Sequence, residues 1–433
     1  MRPGGRIAAA IEVLDEVLSR HRPAADALSD WGKSHRFAGS GDRAAIGNLV
    51  YDALRRRLSL AAQMDSDSGR ALALAAAPRA LGLSHDALAD AVDGSPHAPA
   101  PITAAERSGL ERQLPPDTAA HVAGDIPEWL MPSFERVFGA RAAAEGAALA
   151  QRAPVDLRVN TLKATTEKVL KALARSAPVA TRYAPDGVRI AAPQGAQRAP
   201  HVEAEAGHGK GWFEVQDEGS QVAAALAGAG PRLQVLDICA GAGGKTLALA
   251  ARMQNTGQIF AYDGDRLRLR PIHERLKRAG VRNAQVLPAG DEAALAALGP
   301  RFDVVLVDAP CTGSGVWRRR PDAKWRLRPQ QLADRRREQQ AVLALAAPLV
   351  KPGGRLVYVT CSVLPEENGD QVAELLGRLP EFSAIPWRQA WSEALSTAPP
   401  EASADGGENA LLLTPAAHET DGFFVAILGR RRG

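Results

Sequence analysis

The second half of the chain alternates short apolar runs with longer segments in which apolar residues recur at helical spacing. Runs of this length predict buried strands, and strands that alternate with helices predict a parallel sheet. The predicted strands are Gln234–Cys239, Gln258–Asp263, Phe302–Asp308, Arg355–Thr360 and Gly422–Leu428, with helices from Thr246, up to Arg278 and over Gln331–Leu349. The pattern therefore predicts an α/β fold for this half.

The first half has a less uniform pattern. Helical periodicity runs from Arg6 to about Leu60, whereas the Ala- and Pro-rich stretch Ala71–His121 predicts a loosely organised helical extension or linker. Leu157–Leu162 alternates like a strand and Thr166–Leu173 follows as a helix, which predicts a small α/β module. Because 433 residues exceed what one core usually serves, we predict a division into residues 1–125, 126–211 and 212–433.

The composition is that of a globular protein, with 45% hydrophobic and 24% charged residues. A formal net charge of +4 permits nucleic-acid binding without demonstrating it. No apolar run approaches the roughly 20 residues of a membrane-spanning helix, and acids interrupt the N-terminal segment, which predicts an amphipathic helix and not a signal peptide. The three cysteines are too dispersed for a disulfide framework or a zinc site. We expect a cytoplasmic monomer that binds neither membrane nor metal.

A glycine-rich turn follows the first predicted strand, in Cys239-Ala240-Gly241-Ala242-Gly243-Gly244-Lys245. A tight strand-to-helix turn would explain it, but backbone N–H groups in such a turn also approach ligands closely. A phosphate-binding P-loop is excluded, because its first glycine would stand at Cys239. Asp263 ends the second strand and Asp291 follows the third, so both offer carboxylates at the same sheet edge, although Asp263 alone would equally suit a helix N-cap. Jointly these loops predict a bound nucleoside cofactor.

Two later strands lead into cysteines, at Cys311, three residues after Asp308, and at Cys361. Free cysteines are commonly inert core residues, but two thiols and a carboxylate at one edge suit attack on a pyrimidine. A thiolate that adds to C6 of cytosine makes C5 nucleophilic enough to take a methyl group. Asp308 can hydrogen-bond N3 and the amino group, and the second thiol can assist product release. Spacing alone leaves open which cysteine attacks.

Three stretches of this chain closely match known motifs. They are Asp308-Ala309-Pro310-Cys311 with its continuation Gly315-Val316-Trp317-Arg318-Arg319-Arg320-Pro321-Asp322-Ala323-Lys324-Trp325, then Thr360-Cys361-Ser362-Val363-Leu364-Pro365-Glu366-Glu367-Asn368, and the closing Thr420-Asp421-Gly422-Phe423-Phe424. From about Pro127 onward the chain resembles the Sun/Nop-type RNA (cytosine-C5) methyltransferases, and among them the RsmB-like members that modify small-subunit ribosomal RNA.

The resemblance implies a Rossmann-like class I methyltransferase fold with a mixed seven-stranded sheet, preceded by a small α/β RNA-contacting module and an N-terminal helical region. It implies that Cys361 is the nucleophile and that Cys311 assists product release. It also implies that S-adenosyl-L-methionine is held by the loop residues Cys239, Ala240, Gly241, Ala242, Gly243, Gly244 and Lys245 and by Asp263, Asp291 and Asp308. The family loop usually has Ala-Pro where this chain has Gly241-Ala242, which makes the loop less preorganised without removing a needed donor.

RNA contacts are expected at two places. The N-terminal region around Asn48–Arg55 is similar to the NusB-like RNA-binding domain of this family, although arginines such as Arg55, Arg56 and Arg57 more often form a solvated helix face. The better candidate follows the catalytic loop, where Arg318, Arg319 and Lys324 accompany Trp325 as a stacking surface. The resemblance thus predicts cytosine-C5 methylation, most of all of ribosomal RNA. The alternatives are transfer RNA or a protein side chain as the substrate of the same chemistry, or a non-catalytic RNA-binding assembly factor.

Overall fold

A computed structural model describes residues 1–432 and divides the chain into two compact units. The helical unit comprises Met1–Ala153, Ala192–Ala199 and Trp317–Leu327. The sheet unit comprises the rest of the described chain. The predicted three-part division remains a prediction. No helix in residues 1–432 combines the length and the apolar composition that crossing a membrane requires.

The helices of the described chain, in order, are α1 (Pro3–Arg20), α2 (Ala24–Ser34), α3 (Ser40–Arg55), α4 (Arg57–Met64), α5 (Gly69–Leu81), α6 (His85–Ala91), α7 (Ala104–Glu111), α8 (Ala120–Ala123), α9 (Met131–Phe138), α10 (Ala142–Leu149), α11 (Thr166–Ala172), α12 (Ala206–Gly209), α13 (Glu218–Leu226), α14 (Gly244–Arg252), α15 (Arg266–Leu269), α16 (Ile272–Ala279), α17 (Glu292–Ala296), α18 (Pro321–Arg326), α19 (Pro329–Ala346), α20 (Gly369–Arg378), α21 (Trp387–Ala394) and α22 (Pro415–His418). Short 3₁₀ helices lie at Glu128–Leu130, Gly139–Arg141, Ala174–Ser176, Val202–Ala204, Ser314–Val316, Ala347–Leu349 and Pro365–Glu367.

The strands are β1 (Val155–Val159), β2 (Val179–Ala180), β3 (Gly187–Ile190), β4 (Phe213–Val215), β5 (Gln234–Ile238), β6 (Gln258–Tyr262), β7 (Ala284–Val286), β8 (Phe302–Asp308), β9 (Val350–Thr360), β10 (Phe382–Ile385), β11 (Ala410–Leu413) and β12 (Phe423–Arg430). The first four form a small antiparallel sheet in the order β2-β3-β1-β4. This sheet and α11 are the predicted α/β module.

Helix α5 is the centre of the helical unit, which corrects the prediction of a loose linker from residue 71. Its residues on every side are buried, namely Leu72, Ala73, Leu74, Ala76, Ala77 and Ala80, and it packs on α1 and α3. The Ser68 side chain accepts a hydrogen bond from the N–H of Ala71 at its start, and Gly82 takes the left-handed conformation at its end. A helix that is apolar all round is a buried helix, and it shows no amphipathic periodicity.

The segment Trp317–Leu327 is part of the helical unit although sheet-unit residues flank it on both sides. The Lys324 ammonium donates to the Arg55 carbonyl at 3.0 Å, and the Trp325 indole N–H donates to the Leu54 carbonyl at 2.6 Å. Because α3 ends at Arg55, these two donors satisfy carbonyls that a helix C-terminus leaves unpaired. The segment therefore caps α3.

The large sheet has the order β10-β12-β9-β8-β5-β6-β7. The five strands from β9 to β7 run parallel, and β12 is antiparallel to β9. The structure confirms the mixed Rossmann-like sheet and refines the strand number from seven to eight. The outer edge of β12 is shared, because β11 pairs with residues 423–426 and β10 with residues 427–430. Seven strand positions thus hold eight strands.

Polar contacts join the small sheet to α16, a helix that packs on the large sheet. Glu214, on β4, accepts hydrogen bonds from Arg278 at 2.6 Å and from Arg275 at 2.9 Å. The Asn160 side chain donates to the carbonyls of Gly211 and Ala279, each at 2.8 Å. Charged and amide groups that bridge in this way fix the position of one sheet relative to the other.

Candidate active site

The carboxyl ends of β8 and β9 bring the two predicted cysteines together. Because the strands are parallel neighbours, with Asp308 opposite Val359, the loops that leave them start side by side. The Ala309 N–H donates to the Val359 carbonyl at 2.9 Å. The Sγ atoms of Cys311 and Cys361 consequently lie 3.3 Å apart, as sequence reasoning expected of residues at one sheet edge.

Cys311 lies in surroundings that disfavour its thiolate. Its pKa is raised well above the ordinary value, first by the hydrogen bond with Cys361 and by burial, and then by the charges of Cys361 and Glu367. A thiol kept protonated is a poor nucleophile. Between the two cysteines, these surroundings disfavour Cys311 as the attacking group.

Glu367 fixes the loop that carries Cys311, and sequence reasoning did not single it out. Its carboxylate accepts hydrogen bonds from the N–H of Thr312 at 2.8 Å, from the Thr312 hydroxyl at 2.6 Å and from the Gln339 amide at 3.1 Å. The side chain is fully buried, and burial raises its pKa. Glu366 and Glu367 are adjacent in the motif, and no sequence signal distinguishes the buried one.

Asp308 is held by an ion pair from the cofactor loop. The Lys245 ammonium lies 2.7 Å from the Asp308 carboxylate, and the Lys245 side chain is only 7% exposed, whereas that of Asp308 is 35% exposed. Lys245 is the second residue of α14. Its charge is therefore directed at Asp308, which keeps an accessible face for a ligand.

The glycine-rich loop turns sharply, through backbone conformations that favour glycine. Cys239, Gly241 and Gly243 have φ angles of 66°, 50° and 83°. A Cβ on Gly243 would meet the Ile272 side chain at 2.5 Å. Glycine at position 241 thus suits the left-handed conformation that the loop adopts there.

Acids surround this loop. The carboxylate of Asp263 accepts hydrogen bonds from the N–H groups of Gly241 at 2.9 Å and Asp265 at 2.8 Å. Asp237 is fully buried at the end of β5, where one oxygen accepts a hydrogen bond from the Thr246 hydroxyl and the other has no protein partner among residues 1–432. Burial raises the pKa of Asp237 to about 7. Sequence reasoning missed Asp237, whose only signal is its place two residues before the loop.

A cationic nucleoside fits this set of groups. S-adenosylmethionine carries a sulfonium and an ammonium, and the carboxyl groups of Asp237, Asp263 and Asp308 are near enough to one another for their charges to interact. At Gly241, an added Cβ would meet no atom closer than 3.8 Å, so the missing side chain leaves open space beside the Asp263 carboxylate. The predicted Asp291 is exposed, and its carboxylate caps α17 by accepting the N–H of Ala294 at 2.8 Å. Its contact with the cofactor stays a prediction.

The predicted RNA contacts after the catalytic loop need correcting for two residues. Lys324 is 1% exposed and Arg318 is 4% exposed, so neither charge is available to a phosphate. Lys324 instead caps α3, and Trp317 stacks on Phe134 with ring centroids 5.9 Å apart. Arg319 is exposed and Trp325 is half-buried; their roles toward RNA stay predictions.

Comparison with known proteins identifies the family. The family model for the 16S rRNA methyltransferases RsmB/F matches residues 226–429, and the model for the ferredoxin-like domain of RsmF/B-like methyltransferases matches residues 126–197. The ribosomal RNA small subunit methyltransferase B of Sodalis glossinidius is 34% identical over 332 residues, which cover 74% of this chain and 75% of that protein. The chain belongs to the RsmB/F methyltransferase family.

Other similar proteins support the same family assignment. A probable ribosomal RNA small subunit methyltransferase B of Synechocystis is 34% identical over 309 residues, which cover 70% of this chain and 66% of that protein. The crystal structure of a methyltransferase homologue from Pyrococcus horikoshii is 28% identical, covers 73% of this chain and 100% of its own, and has a TM-score of 0.59. Family membership confirms the predicted resemblance, the Rossmann-like fold and S-adenosylmethionine as the cofactor.

Proposed function

We propose that this RsmB/F family member methylates C5 of a cytosine in small-subunit ribosomal RNA through a covalent adduct with Cys361. The observation that carries the proposal is the contact between Cys361 and Cys311 beside Asp308. A methyltransferase acting on an amino group needs no thiol, whereas C5 of cytosine becomes nucleophilic only after a thiolate adds to C6. The names of the relatives, which specify ribosomal RNA, support the substrate class.

In this proposal each group has a distinct task. Cys361 gives up its proton to solvent and forms a bond from Sγ to C6 of the cytosine. Asp308, acting as a carboxylic acid when the ring is bound, donates a hydrogen bond to N3 and so offsets the negative charge that develops there. S-adenosylmethionine, when bound, supplies the electrophilic methyl group. The Cys239–Lys245 loop and Asp263 hold that cofactor, and the buried Asp237 supports the start of α14 by accepting a hydrogen bond from the Thr246 hydroxyl.

Release of the product reverses the addition. The proton on C5 leaves to a base, its bonding electrons re-form the ring double bond, and the bond from C6 to Sγ breaks to return the Cys361 thiolate. We assign assistance in this step to Cys311, whose sulfur is 3.3 Å from that of Cys361. The raised pKa of Cys311 keeps its proton in place, so its thiol can donate a hydrogen bond to the Cys361 sulfur as negative charge develops there.

The test has two arms. Bisulfite sequencing of ribosomal RNA from a strain lacking this protein should show one cytosine losing its methylation signal, and wild-type protein should restore it while Cys361→Ala should not. Purified Cys361→Ala should transfer no methyl group to unmodified small-subunit ribosomal RNA. A Cys361→Ala protein that methylates at the wild-type rate would overturn the nucleophile, and a signal lost from transfer RNA would overturn the substrate.

A further inference from the structure

A positively charged cleft lies within the helical unit, in residues to which the proposed chemistry gives no task. Its volume is about 450 Å³, and its walls are Arg79, Gln151, Arg152 and the loop 192–195. No acidic or aromatic side chain is among the lining residues. A cleft with cationic walls and no aromatic ring suits an anion and offers no surface on which a nucleobase would stack.

One wall of the cleft is rigid. The Arg152 guanidinium donates to both oxygens of Asp52, at 3.1 Å or less, and to the carbonyls of Pro193 and Gly195 at 3.0 and 2.8 Å. Arg55 shares the same carboxylate at 2.8 Å. Two guanidinium groups on one carboxylate leave a net positive charge at this wall.

One arginine that lines the cleft, Arg79, and one that lies near it, Arg56, form no ion pair in the described residues. Arg79, exposed in the last turn of α5, is oriented by a hydrogen bond to the Gln151 side chain. Arg56 is half-buried, and neither it nor Arg79 forms an ion pair with a carboxylate in residues 1–432. Burial and the neighbouring charge of Arg79 lower the pKa of Arg56. Like charges kept close together are stabilised by an anion between them.

We propose that this cleft binds a backbone phosphate of the RNA substrate, with Arg79 as its principal contact. Arg56 does not line the cleft, but its charge is close enough to interact with that of Arg79 and adds positive potential there. A guanidinium fork presents two parallel N–H groups to phosphate oxygens, which lysine does not. Gln151 holds the Arg79 fork in place, and Arg152 adds positive charge from the cleft wall. The inference rests on the proposed RNA substrate and assigns that RNA a second binding surface, in the helical unit.

The experiment measures how RNA affinity depends on salt. For full-length protein and unmodified small-subunit ribosomal RNA, the slope of log affinity against log salt concentration falls by about 0.7 to 0.9 for each phosphate that the protein no longer neutralises. We expect this decrease for Arg79→Gln, together with a three- to tenfold higher KM for RNA. Arg79→Lys should keep the slope but recover only part of the affinity. The matched control is Arg107→Gln, an exposed arginine of α7 in the same unit, which should change neither quantity.

Further outcomes decide between this inference and its alternatives. Arg56→Gln combined with Arg79→Gln should lower the slope by no more than the value for one phosphate if the two charges act on the same phosphate. An unchanged slope in Arg79→Gln and in the double variant would overturn the site, even if Cys361-dependent methylation is intact. If inorganic phosphate at millimolar concentration displaces RNA from Arg107→Gln but not from Arg79→Gln, the cleft takes phosphate groups as such. Absence of any RNA methylation by wild-type protein would instead reject the proposed function, because the salt slope is read from binding alone.

Discussion

Cys311 Sγ lies 3.3 Å from Cys361 Sγ, in contact and well beyond the disulfide bond length of about 2.05 Å. Because the two sulfur atoms are in contact, both thiols can reach the same cytosine. Removing Cys311 should therefore stop the reaction before the adduct with Cys361 is released. We expect Cys311→Ala to methylate RNA once and then remain attached to it, since the C6 adduct is not released. A denaturing gel with radiolabelled ribosomal RNA should show the slow-migrating species. Cys311→Ala combined with Cys361→Ala should show none, and its absence from Cys311→Ala alone would contradict the release role.

Lys245 and Asp308 should behave as one functional pair. With the ammonium 2.7 Å from the carboxylate, we expect Lys245→Met and Asp308→Asn each to slow single-turnover methyl transfer at least about 100-fold, the usual range for a lost acid–base group. If Lys245 acts through Asp308, the double variant should be no more than about threefold slower than Asp308→Asn. Fully additive losses would mean that Lys245 has an independent task.

Asp237 should make the free energy of unfolding fall as pH rises. Its pKa is about 7 in the folded protein, against an ordinary value of 3.8, so the folded state holds a proton that the unfolded chain has lost between these values. This contribution is present below about pH 4, decreases up to pH 7 and is gone above it. The full loss is up to about 4 kcal/mol.

We expect Asp237→Asn to lack this slope. Urea unfolding of both proteins at pH 5 and pH 8, without cofactor, gives the difference between variants at each pH. On going from pH 5 to pH 8, wild type should lose about 2 to 3 kcal/mol more than Asp237→Asn. Parallel pH dependence in the two proteins would show that Asp237 is ionised throughout.

Glu367 should control the Cys311 thiol without touching the substrate. Replacement by Gln removes the charge that helps raise the pKa of Cys311 but keeps a carbonyl for the Thr312 N–H. In a protein whose other two cysteines are replaced, Glu367→Gln should therefore shift the pH profile of Cys311 alkylation to lower pH. Glu338→Gln, an exposed change on α19, is the control. An unmoved profile would limit Glu367 to holding the loop.

Trp325 should contribute to stability through its indole N–H. Trp325→Phe removes the 2.6 Å hydrogen bond to the Leu54 carbonyl and keeps most of the ring. We expect a loss of about 1 to 2 kcal/mol in the free energy of unfolding, measured by urea denaturation. Trp212→Phe serves as a comparison, because no indole hydrogen bond of Trp212 is present in residues 1–432. Equal losses in both variants would contradict the capping role.

The large sheet and the strand ends that carry the candidate catalytic residues could be predicted from the sequence, because both depend on local sequence patterns. Phe302–Asp308 is a strand with the predicted limits, and Cys361 directly follows β9 as expected. Helix α5 escaped detection because alanine on all its faces leaves no polar stripe to count. The burial of Lys324 escaped for a different reason: its partner carbonyl belongs to Arg55, far away in sequence. From sequence alone, a run of basic residues predicts an exposed surface. Only the structure shows that one of these residues caps the end of a distant helix.

The cap on α3 has a consequence for how this protein evolves and how it is dissected. The segment that supplies the cap starts six residues after Cys311 in sequence. A part of the helical unit therefore lies within the sequence that carries the catalytic residues. Deleting residues 1–153 would expose the tryptophan and lysine side chains of the segment Trp317–Leu327. The exposed segment would favour aggregation. Residues 1–153 can therefore be exchanged only with those of relatives in which the end of α3 accepts the segment Trp317–Leu327. Changes in α3 and in this segment should occur together.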